Sequence, residues 1–228
     1  MSDERPTSRD WSFVRALRQT VDVLNAAEIP YLIAGGLAAK AYGKRRTTHD
    51  IDLFVKQSDA VQALKVLEKA GFTTEITYPT WLYKAFKYDV MVDIIFKSAG
   101  NITVDDETLS RARPMDYRGR RLPLVPPETL MLMKIFALHY TRAANTHWRH
   151  WRDALSVLRS VPMDWDFLYR KAMELDPRIV LGFLLLAEVE GVRADNPTVA
   201  RLCLAVASGA GRPEVVSKAA ASEQITAA

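Results

Sequence analysis

The stretch that most constrains the fold of this chain is residues 31–55, YLIAGGLAAKAYGKRRTTHDIDLFV. Its pattern predicts a short apolar strand, a turn at Gly35 and Gly36, a helix and, after a basic loop, a second strand at 50–55. Glycine has no Cβ, so the backbone can turn sharply there and a ligand can approach it closely. A helix that begins beside such a turn presents unpaired N–H groups, which favour phosphate binding. We therefore expect Gly35 and Gly36 to contact phosphate groups.

Two carboxylates are expected on one face of the second strand. Side chains alternate in direction along a strand, so Asp50 and Asp52 point away from the face that carries Ile51 and Leu53. The two carboxylates repel each other unless a cation lies between them. Mg²⁺ or Mn²⁺ suits this position because such ions take carboxylate oxygens together with oxygens of substrate phosphates. A phosphate site followed by paired carboxylates is the arrangement that nucleotidyl transfer requires.

These residues resemble the nucleotidyltransferase fold of the DNA polymerase beta superfamily, in which a glycine turn precedes an acidic–hydrophobic–acidic strand. Here residues 37–49 separate Gly36 from Asp50. More narrowly, G-G-L-A … Y-G … R-T-T-H-D-I-D-L resembles the nucleotidyltransferases of abortive-infection (type IV) and related toxin–antitoxin systems. The resemblance implies that Arg46 and Thr48 contact the nucleotide. It also implies an α/β (α+β) chain: a minimal nucleotidyltransferase fold with a short mixed sheet flanked by helices, followed by a helical C-terminal half.

The resemblance implies a third carboxylate on a neighbouring strand, between two apolar residues. Asp93 in Val92-Asp93-Ile94 fits this context best, and Asp89 is the second choice. We expect residues 88–96 to form one strand with both aspartates on the same face, roughly 13 Å apart, so only one can lie in the site. Asp93 lies deeper in the apolar run, where an unpaired charge is costly. We therefore assign it as the third metal ligand or as the base for the acceptor hydroxyl.

Several basic residues are expected to contact phosphates or nucleic acid. Lys134 lies in a predicted helix and either reaches nucleotide phosphates, as the toxin-type resemblance suggests, or extends to solvent. The loop before Asp50 binds triphosphate or RNA, or is simply solvated. Basic residues interleaved with aromatic residues at 139–152 suit base stacking, or form an ordinary helix that buries its tryptophans. The possible nucleic-acid contacts are Lys44, Arg45, Arg142, Arg149 and Arg152.

The chain is expected to divide near Pro126 into an α/β half and a helical half. The predicted organisation is a disordered N-terminus at 1–10, a nucleotidyltransferase catalytic domain at 11–125, a helical C-terminal domain at 126–210 and a frayed tail at 211–228. Hydrophobic periodicity predicts helices in the second half at 128–140, 146–159, 165–175, 178–190 and 197–208.

Composition narrows the class of protein further. The 228 residues carry a net charge of +4, which permits nucleic-acid binding without requiring it. The single Cys203 excludes an internal disulfide and fits a reducing cytoplasm. The longest apolar run, 179–187, is too short to cross a bilayer. We therefore expect a cytoplasmic protein without a membrane partner.

The expected activity is Mg²⁺- or Mn²⁺-dependent transfer of a nucleoside monophosphate from an NTP to an acceptor hydroxyl, with release of pyrophosphate. The toxin resemblance implies tRNA as the acceptor and a cognate antitoxin as a partner. The sequence leaves three alternatives open. The acceptor could be an antibiotic or a protein hydroxyl, or the chain could be a nucleotide-binding member of the fold without catalysis.

Overall fold

The computed structural model describes residues 8–43, 48–140 and 144–211. In this part of the chain, helices run at Ser8–Ala26 (α1), Gly35–Ala41 (α2), Ala60–Lys69 (α3), Asp106–Ser110 (α4), Pro127–Tyr140 (α5), Ala144–Ser160 (α6), Trp165–Glu174 (α7), Pro177–Val189 (α8) and Asn196–Ala207 (α9). Strands run at Tyr31–Ile33 (β1), Ile51–Val55 (β2), Thr73–Tyr78 (β3), Leu82–Lys87 (β4), Val90–Ile95 (β5), Arg113–Tyr117 (β6) and Arg120–Leu124 (β7).

The described strands form one mixed, seven-stranded sheet in the order β3-β4-β5-β2-β1-β7-β6. Strand β2 pairs antiparallel with β1 and parallel with β5. Strand β1 also pairs parallel with β7. The strand order places β5 beside β2, although α3 and two strands lie between them in the sequence. The predicted α/β class, with a mixed sheet and a helical C-terminal half, is confirmed.

Strand β5 shows how alternation directs side chains in this sheet. Val90, Val92 and Ile94 are buried, whereas Met91 and Asp93 on the other face are partly exposed. The neighbouring strand β2 keeps Asp52 partly exposed while the rest of the strand is buried. The apolar faces of both strands thus lie in the core, and their carboxylates are left on the more accessible face.

Two hairpins close on two-residue turns with left-handed backbone. The turn between β6 and β7 has positive φ at Arg118 and Gly119 (48° and 79°). The turn between β4 and β5 has positive φ at Tyr88 and Asp89 (56° and 59°). The prediction of one strand over 88–96 is therefore wrong at its start, because the chain reverses direction at these two residues.

The first helix begins inside the N-terminal segment that is predicted to be disordered. Residues 8–10, predicted to be disordered, form the first turn of α1, where Asp10 offsets the positive end of the helix dipole. Residues 1–7 lie outside the described part of the chain. So does 212–228, which holds most of the tail predicted to fray.

Contacts divide the chain into two compact units. The described residues of the first unit lie within 8–40, 48–97 and 103–125, and those of the second lie within 41–43, 98–102 and 126–211. In the second unit α5 packs against α6 and α8. The five helices predicted for this half are all present, with ends within two residues of the prediction. Over the described residues, no helix combines the length and apolarity needed to cross a membrane.

Candidate active site

The first turn of α2, which begins at Gly35 just after β1, packs directly on a carboxylate. Gly35 has φ +53°, a conformation that L-residues with side chains rarely adopt. A Cβ built on Gly35 would lie 1.8 Å from Oδ2 of Asp52. Any side chain here would displace the Asp52 carboxylate, so the position requires glycine for space as well as for backbone conformation.

Gly36 links the same carboxylate to the segment that enters β2. Its backbone N–H donates a hydrogen bond to Oδ2 of Asp52 at 3.2 Å. A Cβ at Gly36 would lie 2.4 Å from Oγ1 of Thr48. The Thr48 hydroxyl in turn donates to the backbone carbonyl of Asp50 at 3.4 Å. The two glycines, Thr48, Asp50 and Asp52 therefore occupy one small region, as the sequence pattern predicts.

The register of the sheet brings two of the predicted carboxylates together. Asp52 of β2 lies directly opposite Asp93 of β5 in the parallel pair. Asp50 precedes β2 by one residue and is exposed. Asp89 lies in the exposed turn before β5 rather than on its face, so the structure separates it from Asp93 by conformation as well as by distance.

A lysine that the sequence reasoning missed completes this cluster. Lys84 of β4 is the cross-strand partner of Asp93. Its Nζ lies 2.8 Å from Oδ1 of Asp93 and 3.2 Å from Sδ of Met91. Both charged side chains are only 15% exposed, so solvent screens this ion pair weakly. The sequence carries no clear signal for this pair, because only the turn at 88–89 makes Lys84 and Asp93 opposite residues.

The environment of Asp93 favours its protonated form. The pKa of the Asp93 carboxyl is raised from 3.8 to about 6, chiefly by burial and also by the negative charges of Asp52 and Asp50, while the hydrogen bond and charge of Lys84 act in the opposite direction. The charges of Asp50 and Asp52 therefore both act on the Asp93 carboxyl. Lys84 offsets only part of their repulsion.

The chemistry of these donors fits a hard divalent cation. Carboxylate oxygens are the ligands that Mg²⁺ and Mn²⁺ prefer, and a cation would offset both the burial of the Asp93 carboxylate and its repulsion by Asp52 and Asp50. Across the described ranges, no three carboxylate, imidazole or thiol groups lie close enough together to hold a metal ion. Asp52 and Asp93 are thus a facing pair, and Asp50 is the nearest further carboxylate in the sequence.

The remaining predicted contacts fall in the second unit or outside the described residues. Lys134 on α5 has its Nζ 3.6 Å from Oδ2 of Asp153, a buried carboxylate of α6. This partner gives Lys134 a structural reason to be there, beside the predicted role in phosphate binding. Arg149 and Arg152 are exposed on α6. The predicted contacts Lys44, Arg45, Arg46 and Arg142 lie outside the described part of the chain.

Comparison with known proteins gives a family match. A family model described as "Nucleotidyl transferase of unknown function (DUF2204)" matches residues 13–146 of the 228. A search of curated proteins gives no match.

Part of the chain is similar to several solved structures. With ANT(2")-Ia in complex with adenylyl-2"-tobramycin the identity is 18% and the TM-score 0.49, over 64% of this chain and 88% of that chain. With the lincosamide antibiotic adenylyltransferase LnuA, lincomycin-bound, the identity is 16% and the TM-score 0.44, over 63% and 96%. With an antigenic nucleotidyltransferase-like protein from Paracoccidioides brasiliensis the identity is 18% and the TM-score 0.41, over 67% and 77%.

Proposed function

The chain belongs to the DUF2204 family of nucleotidyl transferases, and we propose that it transfers a nucleoside monophosphate from an NTP to an acceptor hydroxyl. One observation carries this proposal: the register of β2 and β5 sets Asp52 opposite Asp93, beside a glycine turn that packs on the Asp52 carboxylate. This arrangement supports a site in which phosphates and a cation meet on one face of the sheet, at the interior strands β2 and β5.

Asp50, Asp52 and Asp93 would hold Mg²⁺ or Mn²⁺. When bound, such an ion neutralises charge on the triphosphate and stabilises the charge that develops on the leaving group. We assign the glycine turn to the phosphates from the sequence pattern, and the structure adds that the side chains of Asp52 and Thr48 pack where a Cβ of Gly35 or Gly36 would lie. We assign further nucleotide contacts to Arg46, Thr48 and Lys134, and these come from the sequence pattern.

The transfer step balances with groups of this chain. The acceptor oxygen forms a bond to the α-phosphorus, the bond from that phosphorus to the bridging oxygen breaks, and pyrophosphate leaves. Lys84 donates to Oδ1 of Asp93, so Oδ2 is the atom that we assign either to the cation or to the proton of the acceptor hydroxyl. A carboxyl group with a pKa of about 6 is a competent base near neutral pH.

We propose tRNA as the acceptor, in the cytoplasm, with growth arrest as the outcome and a cognate antitoxin as the partner that restrains it. The support is the Arg46-to-Leu53 pattern, RTTHDIDL, and the exposed Arg149 and Arg152 beside tryptophans on α6. An antibiotic hydroxyl is the second acceptor, and a protein hydroxyl is the third. A nucleotide-binding protein without catalysis is the alternative from a different class.

The test is transfer of label from each α-labelled NTP to total tRNA in Mg²⁺, with wild type, Asp52→Asn and Asp89→Asn compared. Asparagine keeps the size of the side chain and an oxygen that can accept from the N–H of Gly36, so the fold is expected to survive. We expect Asp52→Asn to lose transfer, because it removes a ligand charge. Asp89→Asn, in the exposed turn, should transfer at the wild-type rate.

Three results would contradict the proposal. Wild-type turnover by folded Asp52→Asn would remove the metal assignment. Absence of labelled RNA, with pyrophosphate released only when an aminoglycoside or a lincosamide is added, would replace tRNA by a drug as the acceptor. No transfer to RNA, drug or protein, with NTP binding retained, would favour the nucleotide-binding alternative.

A further inference from the structure

The second unit contains a cleft formed by its own helices. Side chains of α5, α6 and α8 line a cavity of ≈ 850 Å³. This volume lies within the range of sites that bind small molecules, which is about 300–1,000 Å³. No residue of the proposed active site in the first unit lines it. The cleft is therefore a separate feature that nucleotidyl transfer does not explain.

One wall of the cleft is aromatic. Trp148 and Trp151 lie three residues apart on α6, so both reach the same side of the helix. Trp151 is held edge-to-face by Phe183 of α8, with ring centroids 5.2 Å apart at 72°. Trp148 is 60% exposed, so most of a large apolar ring faces water in the open cleft. A fixed ring beside an exposed one is a surface on which a flat molecule can stack.

A glycine keeps the opposite wall open. Gly182 lies in the middle of α8 and lines the cleft. Glycine destabilises a helix interior relative to alanine. Here φ is not in the left-handed region, and a Cβ would meet nothing within 4 Å. Neither backbone conformation nor packing thus requires glycine at this position. Its consequence is additional space facing the aromatic wall.

The polar groups of the cleft suit a neutral heterocycle better than a phosphate. Arg178 donates from Nε and Nη2 to the two carboxylate oxygens of Asp176, at 2.9 and 2.6 Å, so its charge is already balanced. Glu190 adds a further carboxylate, while His139 and His147 supply imidazole nitrogens that donate or accept. An anionic ligand would meet an excess of negative charge here. A flat ring with hydrogen-bonding edges would match both the apolar wall and these groups.

We propose that this cleft binds a nucleobase, stacked on Trp148 and Trp151 with its polar edge towards the Asp176–Arg178 pair. The exposed Arg149 and Arg152 follow the two tryptophans on α6 and are available to phosphates outside the cleft. The inference deepens the proposed function, since an unpaired base of an acceptor RNA is one source of the base. A free nucleoside is the other source, and the chemistry of recognition is the same.

The test measures binding in the intact chain by tryptophan fluorescence and calorimetry. The probes are the four nucleosides, which lack the phosphates that the glycine turn would bind, and a mixed-sequence single-stranded RNA hexanucleotide. We expect saturable binding, weakened at least about fivefold in Trp148→Ala, as the loss of one stacked base predicts. Trp11→Ala is the matched control, because Trp11 is 61% exposed in the first unit and should leave affinity unchanged.

A second pair of variants tests the open wall. Gly182→Phe should fill the cleft and abolish binding of both kinds of probe. Gly182→Ala should raise the melting temperature, since it adds helix propensity without a clash, and it confirms that the position tolerates a side chain. If Gly182→Phe does not fold, Gly182→Leu replaces it.

The outcomes separate this inference from the proposed function. Binding that depends on Trp148 and Gly182 supports the nucleobase cleft even if no transfer is ever observed. Binding of RNA alone identifies the acceptor strand as the source of the base, whereas binding of nucleosides as well identifies a nucleoside site. The inference is overturned if no probe binds, or if affinity is the same in Trp148→Ala, Gly182→Phe and wild type. Asp89→Asn, in the exposed turn outside both sites, should bind every probe as wild type does.

Discussion

Replacing Asp93 by asparagine should stabilise the metal-free protein increasingly as the pH rises. The Asp93 carboxyl is 15% exposed and lies opposite Asp52. Burial is the main reason that its pKa is raised from 3.8 to about 6. The charges of Asp52 and Asp50 add to the rise in pKa, and the hydrogen bond from Lys84 reduces it. The folded protein therefore carries this carboxylate, when ionised, at a free-energy cost.

The sign follows from proton linkage. Because the pKa is higher in the folded chain, the folded state binds the proton more tightly between pH 3.8 and about 6. The stabilising contribution of protonated Asp93 is complete below pH 3.8 and is lost as the pH rises through about 6. A rise of roughly 2 pKa units, at about 1.36 kcal/mol each, corresponds to about 3 kcal/mol above pH 7. Asparagine does not titrate, so it escapes this loss.

The measurement is urea unfolding of Asp93→Asn and wild type in EDTA across pH 4 to 7.5. The difference in unfolding free energy should shift in favour of the variant by about 2 to 3 kcal/mol over this range. Asp93→Asn also removes the ion pair with Lys84, which changes the unfolding free energy by the same amount at each pH and so does not affect the pH dependence. Added Mg²⁺ should reverse the trend, since only the wild type gains the full binding energy of the ion.

Asp89→Asn is the control, because it removes a carboxylate from the exposed turn of the same hairpin. A difference between Asp93→Asn and wild type that stays constant with pH would refute the reasoning. An equal pH dependence in Asp89→Asn would do the same, because the effect would then not belong to the buried site.

Two further variants test the packing around the carboxylates. Gly35→Ala should destabilise the fold by about 1–3 kcal/mol in urea unfolding and weaken Mn²⁺ binding, because it combines a left-handed φ with a Cβ 1.8 Å from Asp52. Gly182→Ala is the control, because a Cβ at Gly182 has no atom within 4 Å. Lys84→Met should raise the pKa of Asp93 above about 6 and lower the transfer rate about 10- to 100-fold. Lys84→Arg keeps a positive donor, so its Asp93 pKa and its transfer rate should stay closer to those of wild type. Equal pKa and rate in Lys84→Met and wild type would show that the lysine does not position Asp93.

The helical half of the chain could be predicted closely because its signals are local. Apolar residues at helical spacing define each helix, and Asp–Pro or Asn–Pro steps mark where α8 and α9 begin. Asp176 and Asp195 cap these two helices through their carboxylates, as short-range chemistry favours. The cleft lined by Trp148 and Gly182 could not be predicted in the same way. It depends on how α5, α6 and α8 pack, which periodicity alone does not specify.

The glycine turn was predicted for a reason that covers only part of its role. The sequence indicates that Gly35 and Gly36 admit phosphate groups. The structure adds that Gly35 admits the carboxylate of Asp52, which lies sixteen residues beyond Gly36 and on the next strand. The spacing between glycines and aspartates is therefore a packing constraint as well as a ligand-binding pattern. Only the pairing of β1 with β2 reveals this contact.

The choice between Asp93 and Asp89 depended on the hairpin turn, which the sequence conceals. Turns with two left-handed residues favour Asn-Gly or Asp-Gly, whereas this one is Tyr88-Asp89, so residues 88–96 resemble one continuous strand. Once the turn is fixed, Lys87 pairs with Val90 and Lys84 with Asp93. The buried Asp93 carboxylate therefore has a charged partner, Lys84, even without a cation.

That partner does not remove the case for a cation at Asp93. On its own, the ammonium group of Lys84 would hold the pKa of the Asp93 carboxyl below 3.8. It instead rises to about 6, because burial and the charges of Asp52 and Asp50 outweigh one ammonium group. A divalent ion at the facing strands would offset both the burial of Asp93 and the smaller repulsion from Asp52 and Asp50. The lysine then holds one oxygen of Asp93 so that the other stays available.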